Sequence, residues 1–564
     1  MPAHDYSAEL NSIADDYLAA ALAYSPFAAV YAGLGDVVHQ NLAAMENNSP
    51  AALARLQRAE DQFAQRLAAI DEESLSSRAD WVLFVTLKEA LGSALGLRVC
   101  RLTLWGVNHM SGWQNAFPQV ADVQPVETPV ERAMALARWR QLPAYLKQEQ
   151  VNLDAGLAAG YSAPKRVVAR VVDQLDSILA APAEKSPFLS FALKDQSDAA
   201  FNAAIKKLAN EEIAPAVASF RNYLRDVYMA KARDDLSIRA VPNGEQCYEV
   251  LLRSYHSARI GAKATYERGQ AAVDANRHDV IQRGDALFGV TDFAAILQRT
   301  RDVQSNRFKS EQELVDFTRA LAPLAREKVA PFFSELPEQD LVVEPFPNFL
   351  KGTGQSSRYE PRPAADGPAT YRINTDEWAT QTRGEAEIVL VHEGWPGHHL
   401  QIATAYKVEG LHPITRLLGS TSFIEGWARY AEGLAEEAGL YESGYGSISR
   451  RAWPARGMVV DPGLHLFGWT KEQAAAFLIE SGRFDETTVN NMLDRIAVIP
   501  GQLTAYDTGG LEIAALRAEA VKRLDARFDI QTFHDRVLEN GAVPLGALRQ
   551  HVEQWIADEE AKGR

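Results

Sequence analysis

From Asp5 to about Leu336, apolar residues return at intervals of three and four, as in AALARLQRAEDQFAQRLAAI and AFNAAIKKLANEEIAPAVASFRNYLRDVYMAKA. That interval lines one face of a helix, so the segment reads as a stack of amphipathic helices. Ser25-Pro26, Thr128-Pro129, Ala163-Pro164 and Thr291-Asp292 punctuate it as helix boundaries. Between about Leu341 and Gln381 the helical period is lost, and Pro, Gly and an alternating Tyr-Arg-Ile run predict a small hairpin or sheet. Helical spacing resumes from Arg383 to about Gly439 and from Ser447 to the end, with breaks expected at DPGLHLFGW and IPGQLTAYDTGG. No repeat of fixed period and no low-complexity tract interrupts this pattern. The expectation is a mainly α chain with a small β element, in two regions: helices over 1–340, and a region 341–564 that carries the candidate chemistry.

With 564 residues, 47% of them hydrophobic and 23% charged, the chain exceeds the roughly 250–300 residues at which a single core stops growing. Two lobes or several domains follow. A formal charge of -16 disfavours nucleic acid and anionic lipid as partners. No apolar run approaches the length of about 20 residues that a membrane-spanning helix needs. The N-terminal stretch MPAHDYSAELNSIADDYLAAALAY carries acids in place of a basic leader, which reads as no secretory signal and a cytoplasmic location. Cys100 and Cys247 show no metal or redox spacing and are expected to be buried, reduced thiols.

The sharpest chemical signal is VHEGWPGHHLQ, which places His392, His398 and His399 within eight residues. The zinc motif HExxH sets two imidazoles one turn apart, with a glutamate beside the first as general base. Here His392 and His398 are six positions apart, on different faces of a regular helix, and His399 returns to the first face only about 10 Å along the axis. Pro396 removes a helical donor and crowds the carbonyl of His392, so the helix should break there. Gly394 and Gly397 can then carry His398 back toward His392. The reading is His392 and His398 as ligands, with His399 as a supporting group or alternate ligand, and Glu393 as base.

A catalytic zinc takes three protein ligands. Glu425 opens a later helix, far enough past His398 for the chain to turn and return. A competing reading makes Ser422-x-x-Glu425 a capping box. Glu432 and Arg429 read as supporting or surface groups. For an oxyanion donor, Tyr506 is the first candidate and His465 the second. Arg456 or Arg372 could grip a substrate carboxylate.

HEGWPGHHLQ, FIEGWARYAEGLA, MVVDPGLHLFGWTKEQA, IPGQLTAYDTGGLEIAALR and FHDRVLENGAVPL together resemble the bacterial family known as domain of unknown function 885, over roughly Leu341 to Trp555. That family looks like a distant relative of the carboxypeptidase Taq zinc peptidases. The resemblance implies a helical body with a deep groove closed by N-terminal helices, one zinc per chain on His392, His398 and Glu425, and Glu393 as general base. It also supports Tyr506, through a Tyr-x-x-Gly segment. The implied activity is hydrolysis of short peptides by a carboxypeptidase or oligopeptidase. A metal-dependent amidase on a non-peptide substrate is the second reading, and a helical binding protein without catalysis the third. A homodimer is the default assembly.

Overall fold

The computed structural model describes residues 6–34, 42–75, 77–193, 198–347, 356–362, 367–376 and 378–562. The described chain is mainly α, with one three-stranded sheet. It divides into two compact units: the first holds Met1–Val250, His412–Leu418 and Met492–Pro500, the second Leu251–Leu411, Gly419–Asn491 and Gly501–Arg564. The division at 250/251 differs from the boundary expected at 340/341. Its cause lies in packing: helices 262–288 and 311–329 bury their apolar faces on elements beyond residue 340, not on the helices before them.

In the first unit, α1 (Ser7–Tyr24), α2 (Pro50–Ala68) and α3 (Arg78–Leu97) pack on one another. Serines cap α2 and α3: Ser49 accepts from the amide of Ala52 and Ser77 from that of Asp80. Around α4 (Trp113–Val123) and α5 (Lys165–Ala180) the core is aromatic, with Trp113, Phe117, Trp139, Phe188, Phe191 and Phe220 in one cluster. Cys100 and Cys247 are joined by a disulfide with Cα atoms 4.8 Å apart, which corrects the expectation of reduced thiols. The bond spans 147 residues, a separation that leaves no spacing signal in a sequence. In the chain-entropy picture a loop of that size stabilises the fold by about 5 kcal/mol.

The second unit carries the sheet. Strands β1 (Leu341–Pro345), β2 (Arg358–Glu360) and β3 (Ala369–Ile373) lie in the order β1-β3-β2, with β1 parallel and β2 antiparallel to β3. The expected β element is therefore present, although residues 348–355, 363–366 and 377 of that segment lie outside the described residues. Alternation in β3 buries Ala369, Tyr371 and Ile373. Helix α6 (Ala262–Phe288) precedes the sheet, and α7 (Glu311–Val329) lies on β1, with Arg319 Nε donating to the Val343 carbonyl at 3.0 Å.

After the sheet come α8 (Arg383–Glu393), α9 (His398–Tyr406), α10 (Thr421–Glu437), α11 (Tyr445–Ala452), α12 (Arg456–His465), α13 (Lys471–Ile479), α14 (Ala505–Leu524) and α15 (Leu545–Lys562). Helix α8 starts at the expected residue because Thr382 and Glu385 form a reciprocal capping box. Two expected breaks shift. Asp461-Pro462-Gly463-Leu464-His465 is helical, and the turn comes after it, at the left-handed Gly468. The other break occurs at Pro500-Gly501, but Tyr506 to Gly510 already belong to α14.

Those glycines are needed where α10 and α14 cross. A Cβ on Gly509 would fall 1.8 Å from the Ser422 carbonyl oxygen, and one on Gly426 would fall 2.4 Å from the Gly509 Cα. The two backbones touch directly. This contact sets Tyr506 and Asp507 of α14 beside Arg429 of α10.

Candidate metal centre

Helix α8 ends at Glu393, and the chain turns through Gly394-Trp395-Pro396-Gly397 before α9 begins at His398. The Trp395–Pro396 peptide is cis. The amide of Gly394 donates to the Leu390 carbonyl at 2.7 Å, and that of Gly397 to the Val391 carbonyl at 3.0 Å. A Cβ on Gly397 would sit 2.0 Å from the His392 carbonyl oxygen, so the turn closes only with glycine there. Trp427 of α10 pins it from outside, its indole N–H donating to the Pro396 carbonyl at 2.9 Å.

The turn returns His398 to His392, with ring centroids 4.8 Å apart. Glu425 meets both: its Oε2 lies 3.5 Å from His392 Nε2 and 3.4 Å from His398 Nε2. One ligand atom from each of the three residues lies within 4.8 Å of the other two. Ligands on a tetrahedral zinc with bonds of about 2.0–2.1 Å stand about 3.3–3.4 Å apart, so both of these distances suit one ion. They are long for hydrogen bonds, and Glu425 Oε2 is buried without a hydrogen-bond donor. The side chains keep 11–19% of their surface exposed, which leaves the cluster open on one side.

Glu425 is not a capping residue. Helix α10 is capped by Ser420, which accepts from the Phe423 amide, while Ser422 lies inside the helix and donates to the Tyr255 carbonyl. His399 is withdrawn from the cluster. Its Nε2 lies 3.0 Å from the Gln339 carbonyl and its Nδ1 3.1 Å from the Tyr359 hydroxyl, so Nε2–H donates, Nδ1 accepts, and no lone pair remains. Burial pushes this ring's pKa down to about 4. His398, not His399, is the partner of His392.

Behind His392 runs a chain of charges. Its Nδ1 lies 3.0 Å from Glu432 Oε1, Arg429 Nη1 holds both Glu432 oxygens at 2.8 and 2.9 Å, and Arg429 Nε reaches Asp507 Oδ1 at 3.0 Å. Glu432 and Arg429 thus support the site, and neither is a surface group. A carboxylate on Nδ1–H fixes the tautomer that offers Nε2 as a lone pair. Burial disfavours charge on His392, but Glu425 and Glu432 outweigh it and hold its pKa up to about 10. Burial works against the Glu425 carboxylate too, yet the two histidines keep it well below the usual range. The field that favours a proton between these atoms equally favours a divalent cation there.

Glu393 is half-buried, and its Oε2 accepts the Tyr359 amide of β2 at 2.8 Å. Tyr506, in the first turn of α14, stacks on His392 with centroids 6.2 Å apart and planes at 22°. His465 is not brought to the cluster. It is fully buried in α12, 4.0 Å from Asp461, whose Oδ1 accepts the Gly501 amide at 2.9 Å. Its side chain is enclosed, and it is Asp461 that braces the turn before α14. Arg372 is paired with Glu344 and Glu360, and Arg456 is buried against the Phe477 carbonyl and Glu480, so neither is available to a carboxylate. Asp507, Tyr359 and the crossing glycines were not read from the sequence. Only the (i, i+3) pairing of Arg429 with Glu432 offered a signal.

A family described as "Bacterial protein of unknown function (DUF885)" matches residues 26–552. No curated protein matches the chain. Among solved structures, "the putative lipoprotein from Colwellia psychrerythraea" is 23% identical with a TM-score of 0.86, over 97% of this chain and 99% of that one. "A putative lipoprotein of unknown function from Shewanella oneidensis" is 20% identical with a TM-score of 0.79, over 96% and 99%. At these identities they establish the shared fold.

Proposed function

The chain belongs to this bacterial family, whose description assigns no activity, and from its cluster we propose that it is a zinc-dependent peptidase acting on short peptides as a carboxypeptidase or oligopeptidase. The observation that carries the proposal is the convergence of His392 Nε2 and His398 Nε2 on Glu425 Oε2 at 3.5 and 3.4 Å, with one ligand atom from each of the three within 4.8 Å of the others and Glu393 next to His392 in sequence. A zinc ion bound there would polarise a scissile carbonyl and lower the pKa of a water. Glu393 takes the proton of the attacking water and delivers it to the leaving amine, its other oxygen steadied by the Tyr359 amide. Tyr506, whose ring stacks on His392, is the residue assigned to donate to the developing oxyanion.

The test is metal content by inductively coupled plasma mass spectrometry on protein purified without added metal or chelator. Near-stoichiometric zinc is expected, falling to a trace in His392→Ala. Absence of zinc from the unmodified protein, even after zinc is offered at neutral pH, would sink the proposal and bring a non-catalytic binding role forward.

Glu432 acts through His392. Glu432→Ala is expected to weaken zinc about 10–100-fold by competition with a chelating dye, with Glu432→Gln recovering part of the loss. An unchanged affinity would show that His392 is oriented by packing alone.

The disulfide also bears on location. A buried Cys100–Cys247 bond supports an oxidising compartment over the expected cytoplasm, in keeping with the lipoprotein description of the two similar structures.

A further inference from the structure

A second polar site lies at the opposite end of α8 from His392. Arg301, Thr382, Glu385, Ser449, Ser481 and Arg483 help to line a small open cavity of about 30 Å³. Thr382 caps the start of α8, ten residues before His392, or about 15 Å along the helix. None of His392, His398 and Glu425 lines the cavity, although Arg483 in its wall feels the charge of Glu432, the partner of His392.

Arg483 is the distinctive group in this wall. Helix α13 ends in a left-handed Gly482 with φ 65°, whose amide donates to the Ile479 carbonyl at 2.9 Å. The Ser481 hydroxyl donates to the Leu478 carbonyl at 2.7 Å and accepts the Arg483 amide at 3.3 Å. The backbone is thus held on the N-terminal side of Arg483. Its guanidinium stands 5.3 Å from the centre of the Phe484 ring and, among the described residues, has no hydrogen-bond or ion-pair partner. Arg372, Arg429, Arg451 and Arg549, by contrast, each hold two or more carboxylates.

The other charges around the cavity do not neutralise it. Glu385 is committed to the capping box, its Oε2 accepting the Thr382 amide at 2.9 Å and hydroxyl at 3.0 Å. Arg301 is exposed and likewise unpaired among the described residues, and the Ser449 hydroxyl has no partner there. Two guanidinium groups against one carboxylate leave the wall with one net positive charge. Arg429 and Glu432 lie further in, near enough for their opposite charges to act on Arg483. A fork of N–H donors matches a planar carboxylate in geometry, and one surplus charge matches a monoanion better than a dianionic phosphate.

We propose that this cavity is a carboxylate-binding site, with Arg483 as the anchoring fork and Arg301 and the Ser449 hydroxyl closing on the same group. The carboxylate could be the terminus of a peptide or a free small acid, and both present the same atoms to Arg483. The proposal goes beyond the peptidase reading and does not depend on hydrolysis.

The test is calorimetric titration of the full chain, at constant ionic strength, with acetate, with N-acetyl-dialanine and with the C-terminal amide of that dipeptide. Wild-type protein is expected to bind the two acids and not the amide. Arg483→Met should weaken the acids about ten- to hundredfold, and Arg483→Lys, which keeps the charge without the fork, by less. Tighter binding of the dipeptide than of acetate identifies a peptide terminus as the ligand; equal binding identifies a free acid. No binding of either acid overturns the proposal, as does equal binding of acid and amide, or binding that both Arg483 variants leave unchanged. Should Arg483→Met fail to fold by circular dichroism, Arg483→Lys and Arg301→Met carry the same comparison.

Discussion

Exchanging Glu393 for glutamine is expected to lower kcat on a short peptide by about 10²–10⁴-fold while leaving zinc content unchanged. Glutamine keeps the shape of the side chain, and its carbonyl oxygen can still accept the Tyr359 amide that Glu393 now accepts at 2.8 Å. It cannot take a proton from water. Because the proposed ligands are His392, His398 and Glu425, the metal should remain. Release of the C-terminal amino acid, followed by chromatography beside metal analysis of the same preparation, separates the outcomes. Loss of zinc together with activity would make Glu393 a ligand. Unaltered turnover would assign the base elsewhere.

The second large effect is expected from Gly509→Ala. The added Cβ would fall 1.8 Å from the Ser422 carbonyl oxygen and 2.8 Å from the Gly426 Cα, both of which are backbone atoms that no side-chain rotation can clear. Overpacking commonly costs about 1–3 kcal/mol, and a clash with backbone belongs at the upper end or beyond. The midpoint of thermal unfolding should fall by roughly 2–5 °C. Forcing α10 and α14 apart also moves Asp507 from Arg429 and Tyr506 from His392, so the folded fraction should hold zinc less tightly. Gly546→Ala is the control: its Cβ would meet only the Ser257 carbonyl oxygen at 3.7 Å, and alanine suits an exposed helical position. A Gly509→Ala protein as stable as this control would mean that the crossing is not close-packed.

Several features of the site are local and were readable in the chain. The capping box of Thr382 and Glu385 sets where α8 begins, and Pro396 between two glycines sets where it ends. Those signals act within a turn or two, which is why the return of His398 toward His392 could be expected from residue types and spacing alone. The small sheet was legible for the same reason, as loss of one period and the start of another. Glu425 could be named as a candidate, but its competing reading as a capping residue could not be dismissed until Ser420 was found at the helix start.

What the sequence by itself determined is thus the helical class, the β insertion, and a His-Glu cluster broken by proline, all of which depend on contacts between residues close in the chain. Only the tertiary structure decided between His398 and His399, because the choice rests on Gln339 and Tyr359 engaging both nitrogens of His399. It alone joined Cys100 to Cys247 and moved the division of the chain to 250/251. It alone showed that Gly426 and Gly509 let two helices touch, which carries Asp507 to Arg429. The reason is common to all of these. Periodicity and capping are written in neighbouring side chains, whereas pairing across tens to hundreds of residues is chosen by which packed arrangement buries the apolar faces and satisfies the buried polar groups together.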